Sequence, residues 1–272
     1  MIFGINKYII AFIIIIIFAV LIIAFNMPTQ TNANLNAEAK TKPQICNQTI
    51  FENKKYSVCK TNPVSNVIAL FLNDENGTPY KHFRNVENKL KQQRLTLAFA
   101  MNAGMYHDDY TPVGLYIENG EELSPISTTD GPGNFHMKPN GVFFIKNNKA
   151  GVLDTDNYIK QNINSDLATQ SGPMLLVDNK IHPRFIIDSP YLQYRNAVGV
   201  DLEGNAYFVI SEDKVNFEEM ARFFRDELHT PNALYLDGSI SSLRSPELKR
   251  YDWWHALGPI IGVVIDDAEQ NK

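Results

Sequence analysis

The stretch Ala233-Leu234-Tyr235-Leu236-Asp237-Gly238-Ser239-Ile240-Ser241-Ser242 decides how the rest of this chain is read. An apolar run with strand character stops at a carboxylate, and a glycine and hydroxyl side chains follow at once. Asp, Gly and Ser bend the backbone or bond to it locally, so the strand must end in a turn at Asp237. A strand that delivers an acid into such a turn holds it rigidly at a sheet end, where catalytic groups are commonly presented. Taken alone, the same pattern also describes a hairpin tip with a solvated Asp.

The same design recurs along the chain. The apolar run Leu95 to Ala100 leads into Met101-Asn102-Ala103-Gly104-Met105-Tyr106. Lys138-Pro139-Asn140-Gly141 precedes Val142 to Ile145, Thr169-Gln170-Ser171-Gly172-Pro173 precedes Met174 to Val177, and Arg195-Asn196 opens Ala197 to Val200. Each segment carries chemistry suited to a sugar or a phosphate. The Asn102 carboxamide offers donors and an acceptor, as do Asn140 and Gln170, and Ser171 adds a hydroxyl. Lys138 is a point charge for an anion, and Arg195 a planar fork that grips two phosphate oxygens. Each also has a structural reading as a turn residue, a solvated lysine or an ion-paired arginine.

Around these segments, short strands alternate with turn signals. Cys46 and Cys59 flank a hairpin whose turn lies in Glu52-Asn53-Lys54-Lys55, which would bring the two sulfurs together. Val64 to Leu72, Leu115 to Glu118 before Asn119-Gly120, Tyr207 to Ile210 after Glu203-Gly204-Asn205, and Ile260 to Ile265 read as further strands. His82 to Gln93 reads as a helix with Phe83, Val86 and Leu90 on one face. Asn216 and Glu219 form a capping-box variant before a continuous helix whose apolar stripe is Phe217, Met220, Ala221, Phe224 and Leu228. Many strands with two or three helices predict an α+β fold, a single domain over 45–268 built on one large, mostly antiparallel sheet.

The chain has 272 residues, with 44% hydrophobic and 20% charged, and a net charge of −5. That mix sustains a core, and it lacks the basic face of a nucleic-acid binder. Lys7 precedes the uncharged run Tyr8 to Phe25. At about 18 apolar residues the run reaches the lower limit for a membrane span. Residues 1–25 therefore read as a signal anchor or a signal peptide, and 26–44 as a flexible tether. The body is expected to be exported, periplasmic or at the cell surface, and held to the membrane by its N-terminal helix. A Cys46–Cys59 disulfide agrees with export. His107-Asp108-Asp109 has no spacing that defines a metal site, and no cofactor is expected. Trp253-Trp254 suits either a sugar face or the core.

Five motifs in order, Met101-Asn102-Ala103-Gly104-Met105-Tyr106, Pro139-Asn140-Gly141-Val142, Gln170-Ser171-Gly172-Pro173, Arg195-Asn196-Ala197-Val198-Gly199 and Leu236-Asp237-Gly238, resemble the phosphodiester glycosidase family. The resemblance spans roughly Cys46 to Ile265. It departs after the aspartate: the family's best-known members continue in a run of glycines, whereas this chain has Gly238-Ser239-Ile240-Ser241-Ser242. The resemblance implies hydrolysis of a sugar-1-phosphodiester at the anomeric carbon, with a phosphorylated carbohydrate as substrate. Asp237, Arg195 and Asn102 are then the catalytic candidates. Lys138, Asn140, Gln170, Ser171, Gly172, Gly238, Ser239 and Ser241 are the substrate-binding candidates, and Asp201 or Glu212 is a possible second carboxylate. Two other readings stay open: a non-catalytic glycan-binding module, and a metal-dependent phosphodiesterase that cuts P–O.

Overall fold

The computed structural model describes residues 44–237 and 240–270, all within one compact unit, Pro43–Lys272. The expected anchor over 1–25 and nearly all of the tether lie outside the described residues. Among the described residues no helix is long and apolar enough to cross a membrane.

Among the described residues, seventeen strands form three sheets. The first runs β1 (Cys46–Phe51), β2 (Lys54–Thr61), β13 (Ala206–Ser211), β12 (Asn196–Val200), β14 (Asn232–Asp237), β10 (Met174–Val177), β11 (Lys180–Ile181). The second runs β16 (Arg250–Tyr251), β15 (Leu243–Ser245), β4 (Leu95–Asn102), β17 (Ile260–Asp266), β3 (Val67–Phe71). The third runs β6 (Glu121–Ser124), β5 (Tyr116–Glu118), β9 (Leu167–Ser171), β7 (Gly141–Lys146), β8 (Lys149–Asp154). Every pairing between these strands is antiparallel. The α+β class stands, but the strands divide into three layers rather than one large sheet. Their apolar faces need partners, and folding sheets onto each other supplies them.

Phe208 of β13 shows how the layers share a core. Its ring lies 5.4 Å from Phe99 of β4 and 5.4 Å from Phe143 of β7, so one side chain from each sheet meets at the centre. Burying such a ring contributes about 2–3 kcal/mol. Helix α1 (Phe83–Lys91) covers the second sheet with Phe83, Val86 and Leu90. A short helix α2 (Thr155–Lys160) follows β8, and α4 (Asp267–Gln270) follows β17.

Local chemistry sets the hairpins. Glu52-Asn53, Asn147-Asn148 and Asp178-Asn179 each hold two consecutive residues at positive φ, as does Asn119-Gly120. That conformation matches the twist of antiparallel strands and suits Asn, Asp and Gly. The first of these turns registers Cys46 opposite Cys59, and the disulfide forms.

The late helix differs from its reading as one continuous element. The predicted capping box is present: Asn216 accepts from the Glu219 N–H and the Glu219 carboxylate accepts from the Asn216 N–H. Helix α3 (Phe217–Arg222) then widens into a π-helical turn over Phe223–Glu227. Two adjacent aromatics must both face the first sheet. Phe223 stacks on Tyr56 at 3.9 Å, and Phe224 lies over Gly199. A regular helix sends neighbouring side chains about 100° apart, and the wider turn brings both inward.

Candidate active site

The C-terminal end of β14 is where the three sheets meet. Asp237, buried, sits opposite Asn196 of β12, beside a bulge that sets two residues of β14 against one step of β12. The Asn196 Oδ1 accepts from the Asp237 backbone N–H at 2.9 Å, and its Nδ2 donates to the Asn102 carbonyl at 3.3 Å. Asn102, at the end of β4, donates to the Ile240 carbonyl at 2.8 Å and accepts from the Ser242 N–H at 2.9 Å. Ser171, at the end of β9, donates to the Leu236 carbonyl. The backbone on both sides of Asp237 is thus clamped by side chains from β4, β9 and β12, one or more from each sheet. Gly238 and Ser239 lie outside the described residues. Ser241 is half-buried and donates to the Tyr194 carbonyl at 3.2 Å.

Arg195 lies one residue before Asn196 and is 4% exposed. Its guanidinium donates to the Val215 carbonyl at 2.9 Å, the Tyr235 hydroxyl at 3.2 Å and the Tyr191 carbonyl at 3.2 Å. It stacks 3.8 Å over the Phe217 ring. All these acceptors are neutral, so the side chain is oriented with its positive charge retained. Burial lowers its pKa from the ordinary value, opposed by Tyr235 and by the charge of Glu219. Arg195, Tyr235, Phe217, Arg184 and Tyr191 line a cavity of about 570 Å³. Glu218, on the same wall, is ion-paired to Arg222 at 3.0 Å.

Two phenols feel the charge of Asp237. Burial pushes the Tyr235 hydroxyl well above its usual range; Arg195 opposes that and the Asp237 charge adds to it. Burial and then Asp237 raise Tyr106 in the same way. Tyr235 belongs to the Arg195 cavity. The Tyr106 hydroxyl donates to the Ala256 carbonyl at 3.1 Å. Trp253 and Trp254 precede that carbonyl. They stack on each other at 3.9 Å and are both exposed, so neither serves the core.

The remaining predicted residues hold the frame. The Gln170 carboxamide makes four hydrogen bonds, to Leu115, Thr155 and both backbone groups of Ser127. Asn140 donates to the Phe135 carbonyl and accepts from Thr155. Gly172 passes so close to Asn140 that an added Cβ would lie 2.7 Å from its Cβ, which only glycine avoids. The Lys138–Pro139 and Gly172–Pro173 peptide bonds are cis. Lys138 is ion-paired to Asp130 at 2.7 Å and lines a small separate hollow with Asn140 and Thr155, so it does not join Arg195. Of the two carboxylates considered as partners to Asp237, Asp201 sits past the far end of β12, bonded to Asn205 and Tyr207. Glu212 is bonded to Ser57 and Arg250. Asp109 is turned onto Thr111, and no three His, Cys, Asp or Glu among the described residues group as metal ligands. Asn196, Tyr235 and Tyr106 lie within or beside these motifs, and the sequence assigns none of them a role. Asn196 carried the one available signal, a carboxamide in an otherwise apolar strand.

Two solved structures share the fold. The chain superposes on the catalytic domain of zebrafish N-acetylglucosamine-1-phosphodiester alpha-N-acetylglucosaminidase with a TM-score of 0.56 at 14% identity, over 82% of this chain and 84% of that one. It also superposes on a Burkholderia pseudomallei protein with a TM-score of 0.52 at 10% identity, over 77% and 74%. Both likenesses define the fold. The chain belongs to the phosphodiester glycosidase family, whose sequence profile matches residues 96–247. It is also 34% identical over 182 residues to the uncharacterized protein YigE of Escherichia coli (strain K12), covering 67% of this chain and 71% of that protein.

Proposed function

We propose that this protein hydrolyses a sugar-1-phosphodiester at the anomeric C–O bond, releasing the sugar from a phosphomonoester. The observation that carries the reading is the clamp on Asp237: the buried acid is held by its backbone N–H on Asn196, the residue after the cavity-lining Arg195. A phosphate monoester is a weak base, so its departure depends more on charge stabilisation than on protonation. Arg195, with the Tyr235 hydroxyl beside it, supplies that stabilisation in the cavity. Asp237 acts on the sugar side, as base for the attacking water or as electrostatic support for an oxocarbenium-like state. The exposed Trp253 and Trp254 offer ring faces on which a sugar can stack. Asn102, Asn196 and Ser171 position Asp237 through backbone contacts. We place the reaction on an envelope or extracellular glycan, with the apolar residues 8–25 as the membrane anchor.

The test is hydrolysis of a panel of sugar-1-phosphodiesters in ¹⁸O-labelled water. Label in the released sugar is expected. Label in the phosphate means P–O cleavage and refutes the reading. Binding of the panel without turnover leaves a glycan-binding module instead.

A further inference from the structure

The cavity beside Arg195 opens onto a run of apolar side chains that the proposed chemistry leaves unused. In the loop before β12, Ile186 is 67% exposed, Ile187 72% and Tyr191 78%. Large apolar residues gathered in the open mark a contact surface. The loop is firmly held. Its Tyr191 carbonyl accepts from Arg195, and its Ser189 carbonyl accepts from Asn216 at 3.3 Å. Gln193 and Val215 exchange two backbone hydrogen bonds. The polar backbone is therefore turned inward, and Ile186 and Tyr191 stand at the rim of the cavity. The wall beneath them is Phe185 and Phe217, stacked 5.0 Å apart, with Arg195 against Phe217. A volume of about 570 Å³ exceeds what a phosphate group fills and falls in the range for whole organic ligands.

We infer that this cavity takes a phosphate ester whose alcohol arm is a long hydrocarbon. The phosphate sits at Arg195 and Tyr235, and the chain leaves over Ile186 and Tyr191. The positive charges of Arg195 and Arg184 complement the phosphate, and the rim buries the chain. Resting on the proposed function, this makes the substrate class a sugar phosphate linked to a lipid.

The experiment is calorimetric titration of the full-length protein with methyl, butyl and octyl phosphate, below micellar concentrations. Each buried methylene is worth about fourfold in affinity, so octyl phosphate should bind at least ~30-fold more tightly than methyl phosphate. Octyltrimethylammonium should bind at least ~10-fold more weakly than octyl phosphate. An I186S/Y191S variant should reduce the octyl-to-methyl ratio below ~5; comparing it with the parent cancels any binding at the apolar N-terminal stretch. An affinity independent of chain length, an equal response to the cationic amphiphile, or an undiminished ratio in the variant overturns the inference. So does a loop that drives sedimentation with phosphatidylcholine vesicles or self-association without any chain-length dependence. Because these ligands carry no sugar, the two readings fail separately. A chain-length effect without hydrolysis of any sugar-1-phosphodiester removes only the proposed function; hydrolysis without the effect removes only this inference.

Discussion

At the residue scale, the proposed site assigns different duties to Asp237, Asn196 and Arg195. Asp237→Asn keeps the backbone bond to Asn196, so the fold should survive while turnover falls at least ~10²-fold, the usual contribution of a positioned acid or base. Parallel measurement of turnover and thermal unfolding checks this, and near-parental turnover removes Asp237 from the chemistry. Asn196→Ala leaves the Asp237 N–H without its acceptor inside the protein, at a cost of about 1–3 kcal/mol. Its expected signature is a fall in kcat larger than any rise in KM, since Asn196 positions the carboxylate without reaching the cavity. The strand-end positions of Asp237 and Arg195 were legible because turn chemistry leaves a sequence mark. Asn196 was not, because the worth of its carboxamide depends on Asn102 and Asp237, each some 40 or more positions away along the chain. Asn102 and Gln170 show the converse. Their residue type promised ligand contacts, yet their amides are engaged by backbone groups of neighbouring loops.

At the element scale, two features carry predictions. The Cys46–Cys59 disulfide closes a short loop, with a sequence separation of 13, and loops of this size confer about 3 kcal/mol in the chain-entropy view. Replacing both cysteines by alanine should lower the urea midpoint, with the slope unchanged or slightly raised, because the hairpin keeps its register while the unfolded chain loses a constraint. In β12, a Cβ on Gly199 would come 2.7 Å from the Phe224 ring and from the Thr230 hydroxyl. Gly199→Ala should therefore destabilise by about 1–3 kcal/mol, the cost of overpacking, as read by denaturant unfolding. The hairpins and caps were visible beforehand because their chemistry is local. The π-helical turn was not: periodicity alone favoured a regular helix, and the demand to face both Phe223 and Phe224 inward comes from Tyr56 and Gly199 on the sheet.

At the scale of the whole molecule, a line of aromatic contacts ties the back of the cavity to the third sheet's connections. His182 stacks on Phe185 at 4.8 Å, Phe185 on Phe217, and Phe217 meets Tyr235 edge-on at 4.8 Å. His182 bonds through Nε2 to the Lys138 carbonyl and through Nδ1 to the Arg184 N–H, which fits the neutral ring. Burial lowers its pKa from 6.5, and Arg184 lowers it further against the Lys138 carbonyl. The unfolded chain therefore takes up a proton at a higher pH than the folded one, and stability falls as pH drops below about 6.5. Unfolding free energies measured across that range should show the slope, and His182→Phe should flatten it even if it lowers stability throughout. The sequence by itself determined the strands and their turns, the disulfide pair, the α+β class and the family, because each follows from local propensity or from motifs in order. The tertiary structure alone decided that the strands divide into three sheets. It also decided that their ends converge on Asp237, and which polar side chains stay available to a ligand. A hydrogen-bond partner is chosen by whatever strand lies alongside, and no local pattern in the chain records which strand that is.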